Sequence, residues 1–170
     1  WTEKQNISSS RSISHVKGGF VLRILLTSDV HGHLEALKSI ISTSKPFDFH
    51  LDAGDICLDH KQYQHDHIIT VKGNNDYRSI DPYDRILDLN GVKILLTHGH
   101  LEHVKFGMDR LKLKAKLHNV NLCIFGHTHQ RYLYVEEGIT FVNPGSVGDD
   151  YSYAIYEKGQ IQFMRGILWT

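Results

Sequence analysis

From Val21 onward the apolar residues arrive in short runs, each cut off by glycine, aspartate or histidine. VLRILLT (21–27) is rich in branched side chains and predicts a buried strand. Leu34, Leu37 and Ile41 then recur at helical spacing with Ile40 beside them, so His33 to about Ser44 is expected as an amphipathic helix, with Pro46 soon after its end. FDFHLDA (47–53) and HIITVKG (67–73) read as two further strands. RILDLN (85–90) and VKILLT (92–97) flank Asn90-Gly91 and predict strands joined by a tight turn. Val104, Met108, Leu111 and Ala115 predict a helix over about 104–118, with Arg110, Lys112, Lys114 and Lys116 mostly on its outer side and Asn119 as its C-terminal cap. NLCIFG (121–126) is again a buried strand. Beyond it the period is two, in RYLYVEE, GITFVN, SYAIYEK and QIQFMRG, which reads as an antiparallel meander. Strand and helix alternate first and strands alone follow, so the chain is expected as an α/β fold: two sheets face to face with helices outside.

Composition narrows the class. At 170 residues, 41% hydrophobic and 22% charged, the chain has the size of one domain, since domains run to roughly 100–200 residues. A (β/α)₈ barrel of ~250 residues does not fit, and no apolar run approaches the ~18 residues of a membrane helix. Lys+Arg and Asp+Glu balance at 19 each, which gives no nucleic-acid signature. Cys57 and Cys123 lie in or beside apolar stretches and read as buried free thiols, which points to a reducing, cytoplasmic setting. Residues 1–20 are polar and serine-rich, begin with Trp1, and lack the apolar core of a secretory signal. They are expected to be a disordered or non-native leader, and 21–170 the domain.

Histidine is out of proportion, with 13 residues. Eight form H-x-H pairs: His31/His33, His65/His67, His98/His100 and His127/His129. Neutral imidazole is the commonest metal ligand. Five expected strands end in turns that carry potential ligands: Asp29-Val30-His31-Gly32, Gly54-Asp55, Gly73-Asn74-Asn75-Asp76, His98-Gly99-His100 and Gly126-His127-Thr128-His129. In open α/β sheets, ligands bind beyond the carboxyl ends of the strands. A single Asp or Asn after a strand is usually a turn residue; five independent strand ends, all punctuated by glycine and all bearing ligand-type residues, are not explained that way, and if the strands are neighbours the turns meet on one rim. Two carboxylates, an amide oxygen and four imidazoles are too many for one transition metal and suit two ions sharing a carboxylate. His60, His65 and His67 lie in a polar loop, His15 in the leader, His50 within a strand and His118 at a helix end; none of these is assigned a function.

These five ordered blocks resemble the signature of the calcineurin-like metallophosphoesterases. Asn143-Pro144-Gly145-Ser146-Val147 is similar to the turn that follows in their small single-domain phosphodiesterase subgroup. The resemblance covers about 21–165. It implies a four-layer α/β/β/α sandwich with a dinuclear centre, in which Asp29, His31 and His129 hold one metal, Asn74, His98 and His127 the other, and Asp55 bridges them. Many relatives carry a histidine after the ligand asparagine, where this chain has Asn75. An amide donates a hydrogen bond but no proton at neutral pH; Asn75 and His100 are therefore the candidate catalytic residues.

The expected reaction is hydrolysis of a small phosphoester, a diester by preference, through in-line attack by a hydroxide bridging two ions ~3.5–4 Å apart. Nitrogen and oxygen ligands without thiolate fit Mn²⁺, Zn²⁺, Fe, Ni²⁺ or Co²⁺ and do not choose among them; Mn²⁺ is the first expectation. No cap domain is apparent, so an open site is expected. Arg131 and Tyr77 flank the motif loops, and assembly into a homo-oligomer is left open. The rival is a scaffold resembling the small subunit of the retromer coat, which departs from the full ligand set. A metallo-β-lactamase-like hydrolase is set aside because neither His65-Asp66-His67-Ile68 nor His127-Thr128-His129-Gln130 continues as H-x-H-x-D-H.

Overall fold

A computed structural model describes residues 21–63 and 66–167. The expected leader (1–20) and His65 lie outside the described residues. Among the described residues, ten strands and four helices follow in the order β1 (Arg23–Thr27), α1 (Leu34–Ser44), β2 (Phe49–Asp52), α2 (His60–Tyr63), β3 (Ile68–Thr70), β4 (Asp84–Leu89), β5 (Val92–Thr97), α3 (Asp109–Leu117), β6 (Leu122–Ile124), β7 (Tyr132–Glu136), β8 (Ile139–Asn143), α4 (Val147–Asp150), β9 (Ser152–Glu157) and β10 (Gln160–Arg165).

The strands form two five-stranded mixed sheets, ordered β10-β9-β1-β2-β3 and β4-β5-β6-β8-β7. The twofold alternation of each strand builds the layers. On β1, Ile24 and Leu26 enter the core between the sheets, while Leu25 turns outward onto Leu37, Ile40 and Ile41 of α1. On β5, Ile94 and Leu96 face the other sheet and Leu95 packs against Leu111 and Ala115 of α3. Leu122 and Ile124 against Cys123 on β6, and Val142 against Phe141 on β8, repeat the division. Both central strands are thus buried on two faces, which is why they read as unbroken apolar runs. The result is the expected four-layer α/β/β/α sandwich. Each fully buried Leu or Ile contributes about 1.5–3 kcal/mol.

Three elements differ from expectation. The last four strands are not one meander: β7 and β8 form an antiparallel hairpin in the second sheet, with β8 parallel to β6, while β9 and β10 pair in the first sheet, with β9 antiparallel to β1. Asn143–Tyr151 carries the chain between sheets; periodicity of two reports a strand but not the sheet it joins. The second long helix begins at Asp109 rather than 104, because the chain turns at His103 (φ 57°) and Gly107 (φ 152°). Val104 keeps its place in the core from a turn. The strand expected at 67–73 contracts to Ile68–Thr70, preceded by His67 at φ 51°.

The strands that matter for function are parallel: β1, β2 and β3 in one sheet, β5 and β6 in the other. Their carboxyl ends lie together and are stitched across the sandwich. Asp29 N donates to Gly54 O at 3.0 Å, Gly126 N to His98 O at 3.1 Å, and His127 N to Asp29 Oδ2 at 3.1 Å.

Candidate metal centre

The loops at this rim hold backbone that ordinary residues avoid. Asp29, His31, Asp55, His127 and His129 all have positive φ, between 48° and 69°. Such conformations cost of order 1–3 kcal/mol each and persist only where the surroundings over-determine them. Close approach does this here. A Cβ on Gly126 would lie 1.9 Å from Ser28 Oγ and 2.8 Å from Asp29 Oδ2. One on Gly73 would lie 2.1 Å from Asp55 Oδ1. Only glycine lets these turns rest against the acidic side chains.

Two groups of donors converge. In the first, Asp29 Oδ1 stands 3.2 Å from His129 Nε2 and 3.8 Å from His31 Nε2, and the two Nε2 atoms are 3.2 Å apart. In the second, His98 Nε2 lies 3.0 Å from Asn74 Oδ1 and 3.5 Å from Asp55 Oδ2. Asp55 stands between them, its Oδ2 also 4.0 Å from His31 Nε2. Asp29, His31 and His129 meet within the reach of one ion, as do Asp29, Asp55 and His98. His127 joins by its ring, centred 5.0 Å from that of His98.

The remaining polar atoms aim these donors. His98 Nδ1 donates to Ala53 O at 2.8 Å, so the Nε2 lone pair faces Asn74. His129 Nδ1 is held by Asp149 Oδ2 at 2.6 Å, which likewise turns Nε2 inward. Asp29 Oδ2 accepts from Ser28 Oγ (2.6 Å), while Oδ1 is buried with no hydrogen-bond partner. A buried, orphaned carboxylate oxygen facing two imidazole nitrogens is an arrangement of lone pairs that a cation relieves. The residues therefore fit divalent metal. Hard oxygens and imidazoles match first-row divalent ions. Cys57, expected to be buried beside its apolar stretch, is exposed, while Cys123 is buried; the Cys57 Sγ lies 3.7 Å from His31 Nδ1, but partial desolvation on its inner side and the Asp76 and Asp55 carboxylates push its thiol up to about 12, far from a thiolate ligand.

The charge pattern agrees. Burial works to raise the Asp29 carboxyl, yet the His129 imidazole beside it, His98 and the Ser28 hydroxyl hold it below the usual carboxylate range. Without an ion, the Asp29 contact lifts His129 to about 9, with Asp149 adding to it. His127 is pushed down to about 4, chiefly by burial and then by His98, so it is neutral and free to ligate.

Of the candidate catalytic residues, Asn75 clamps Asp55: its N donates to Oδ1 at 2.7 Å and its Nδ2 to Oδ2 at 2.6 Å. His100 sits behind His98 and His127, ring centres 5.3 and 6.1 Å away, with a buried Nδ1 lacking a hydrogen-bond partner. Arg131 is turned from the rim and spent on Ser152 Oγ and the Met164 carbonyl. Several supporting residues stand inside turns already singled out, but the sequence does not show what they support. Asp76 accepts from the main-chain N–H groups of Asp55, Gly73 and Cys57, each at 2.8 Å. Asn143 Nδ2 donates to Gly126 O and Thr128 Oγ1, and Ser146 Oγ donates to Asp29 O. Such roles are held through the main chain of distant loops, which side-chain type does not announce. Asp149 is the partial exception, as an acidic residue just after the Asn143–Val147 turn.

A family model described as the calcineurin-like phosphoesterase superfamily domain matches residues 22–159. The protein named "Probable metallophosphoesterase YsnB" of Bacillus subtilis is 30% identical over 127 residues, covering 74% of this chain and 75% of its own. A conserved uncharacterized protein of Streptococcus pneumoniae, described as a predicted phosphoesterase, superposes with a TM-score of 0.80 at 27% identity, over 87% of this chain and 91% of its own. Vps29 of Entamoeba histolytica, solved with Zn²⁺, shares the fold with a TM-score of 0.65 at 20% identity, over 84% of this chain and 97% of its own.

Proposed function

The chain belongs to the calcineurin-like phosphoesterase superfamily, and we propose that it is a metal-dependent phosphodiesterase with a dinuclear centre. Asp29, His31 and His129 would hold one divalent ion, Asn74, His98 and His127 the other, and Asp55 would bridge them. The observation that carries this reading is the placement of Asp55 Oδ2, 4.0 Å from His31 Nε2 and 3.5 Å from His98 Nε2, between the two donor groups. When bound, such a pair supplies an activated water and Lewis-acid stabilisation of the phosphoryl oxygens. Mn²⁺ is our first choice among the divalent ions that this oxygen and imidazole donor set accommodates.

The protein's own part is orientation. Asn75 holds both carboxylate oxygens of Asp55, Ala53 O fixes the tautomer of His98, and Asp149 fixes that of His129. His100, held below its ordinary pKa by burial and by His98, stays neutral and offers a ring N–H to the substrate's leaving oxygen. The diester preference follows from charge. Arg131, beside the motif loops, is engaged by Ser152 Oγ and the Met164 carbonyl and is not available to clamp the second charge of a monoester. An exposed free thiol at Cys57 suits the cytoplasm, and among the described residues no helix is long and apolar enough to cross a membrane.

The deciding experiment is hydrolysis of bis(4-nitrophenyl) phosphate with added Mn²⁺ by the chain and its Asp55→Ala variant. Turnover that depends on metal and is lost in the variant is expected; undiminished turnover in the variant rejects the assignment. A scaffold role draws on the Vps29 likeness and on the exposed Leu133, Tyr134 and Val135 of edge strand β7. Absence of hydrolysis with every divalent metal would move the reading there.

A further inference from the structure

A cavity of about 600 Å³ opens beside the candidate centre, between the loop that follows β2 and the loop 75–81. It is not a separate feature of the surface. Asn75, which lines it, donates to Asp55 Oδ2 at 2.6 Å, and Cys57, which also lines it, has Sγ 3.7 Å from His31 Nδ1. The cavity therefore reaches the donor cluster from the side of Asp55 and His31. Ile56, Leu58 and the buried ring of Tyr63 give it an apolar floor; of the carboxylates that also line it, Asp76 is taken up by main-chain N–H groups, Asp81 by Arg85 and Asp59 by the Lys61 N–H. Its mouth carries two large side chains left in solvent: Tyr77 is 83% exposed and Ile80 fully so. Scattered apolar residues at the surface need no explanation, but two on one loop, at the lip of an apolar-floored cavity, mark a binding groove. Arg78 stands between them, also exposed, and has no ion pair among the described residues. Volume, apolar floor, free ring and free guanidinium suit a flat aromatic group: sites for such ligands span ~300–1,000 Å³ and are mostly apolar with few polar contacts, and both Tyr and Arg present faces for stacking.

We infer that this cavity is the subsite for one organic arm of the substrate, and that the arm is planar and aromatic, of aryl or nucleoside type, stacked on Tyr77 and covered by Ile80. The inference rests on the phosphodiesterase reading, because the metal-proximal end of the cavity is where the phosphoryl group would sit. It adds to the expected open site a preference for diesters bearing a ring. Tyr77 and Ile80 act on affinity; neither touches the donor cluster.

The test uses two probes of equal charge, diphenyl phosphate and dimethyl phosphate, titrated in the presence of Zn²⁺ and read by amide resonances. Diphenyl phosphate is expected to move signals from 56–59 and 75–81 that dimethyl phosphate leaves in place. Tyr77→Ala and Ile80→Ser should each weaken its binding at least fivefold, with Tyr77→Phe and the distant Tyr134→Ala within twofold of the parent. Affinity for dimethyl phosphate should be the same in all. Both side chains are exposed, so the variants keep their fold. Equal affinity of parent, Tyr77→Ala and Ile80→Ser for diphenyl phosphate, or signals moving elsewhere, overturns the subsite. Ring-dependent binding without hydrolysis under Mn²⁺ sustains the subsite and removes the phosphodiesterase reading; hydrolysis indifferent to these variants does the reverse.

Discussion

Asn75 grips Asp55 at both carboxylate oxygens, main chain to Oδ1 and side-chain amide to Oδ2. The main-chain bond survives any substitution; the amide bond does not. A hydrogen bond to a charged acceptor is worth ~1.5–3 kcal/mol, and residues that orient a ligand typically alter metal affinity ~10–100-fold. Asn75→Ala should therefore lower Mn²⁺ affinity about tenfold by calorimetry. Asn75→Asp loses the same amide donor but adds a carboxylate whose charge a cation relieves, so it should lower the affinity less than Asn75→Ala. Unchanged affinity in both would show that Asp55 needs no such clamp.

His129 links the centre to pH. Its folded pKa of about 9 exceeds the ordinary value, through Asp29 first and Asp149 second. The sign follows: in metal-free protein the protonated ring contributes stability that is complete below about 6.5 and is lost as pH rises through about 9. The same proton competes with a cation for Nε2. Mn²⁺ affinity should climb by up to about tenfold per pH unit towards pH 9 and then level. Asp149→Asn should start that plateau at lower pH. Calorimetric titrations at several pH values give the slope, and a flat profile contradicts the assignment.

The layers and the ligand turns were legible in the sequence because each rests on local pattern. Ile24, Leu25 and Leu26 form a run that only a strand covered on both faces explains. The five turns could be named because glycine and ligand-type residues stood at expected strand ends. What stayed hidden depends on contacts between distant segments. Nothing near Ser152 tells whether β9 continues the hairpin of β7 and β8 or crosses to β1. Val104 fits a helical spacing, yet His103 and Gly107 keep it in a turn while it still reaches the core. Asp76 looks like one more turn aspartate, and its three main-chain partners appear only when the loops close.

The glycine turns yield a sharp contrast. At Gly73 an added Cβ would meet Asp55 N at 2.4 Å as well as its carboxylate. Backbone cannot swing aside as a side-chain tip can. Gly73→Ala should cost ~1–3 kcal/mol of stability, as overpacking does, and displace Asp55 enough to abolish tight Mn²⁺ binding. Gly138, with φ 78° and open space around its Cβ position, is the control. Gly138→Ala should cost ~1–2 kcal/mol from left-handed strain alone and leave metal binding intact. Chemical denaturation and metal titration of the pair separate strain from collision.

Beneath the rim lies a buried polar chain that no ligand role requires. Asp52 accepts from Thr27 Oγ1 at 2.7 Å, from Thr70 Oγ1 and from Gly54 N, both at 3.0 Å, while Thr27 Oγ1 is also 2.8 Å from His50 Nε2. Burial drives the Asp52 carboxyl up to about 7, against the hydrogen bonds that favour its charge, and drives His50 down to about 3. An acid whose folded pKa is raised withdraws stability as it ionises. The penalty is absent below about 4, grows as pH rises towards 7 and is constant above. Asn at position 52 keeps an acceptor for Gly54 and Thr70 and offers its amide to Thr27, which can then donate to His50. Asp52→Asn should consequently flatten the pH dependence between 4 and 7 and make the metal-free protein more stable than the parent at pH 8, relative to their difference at pH 5. Urea melts at the two pH values measure this directly. A variant whose stability tracks the parent across the interval would place the pKa of Asp52 in the ordinary carboxylate range, and the rim would then stand on a charged, not a neutral, foundation.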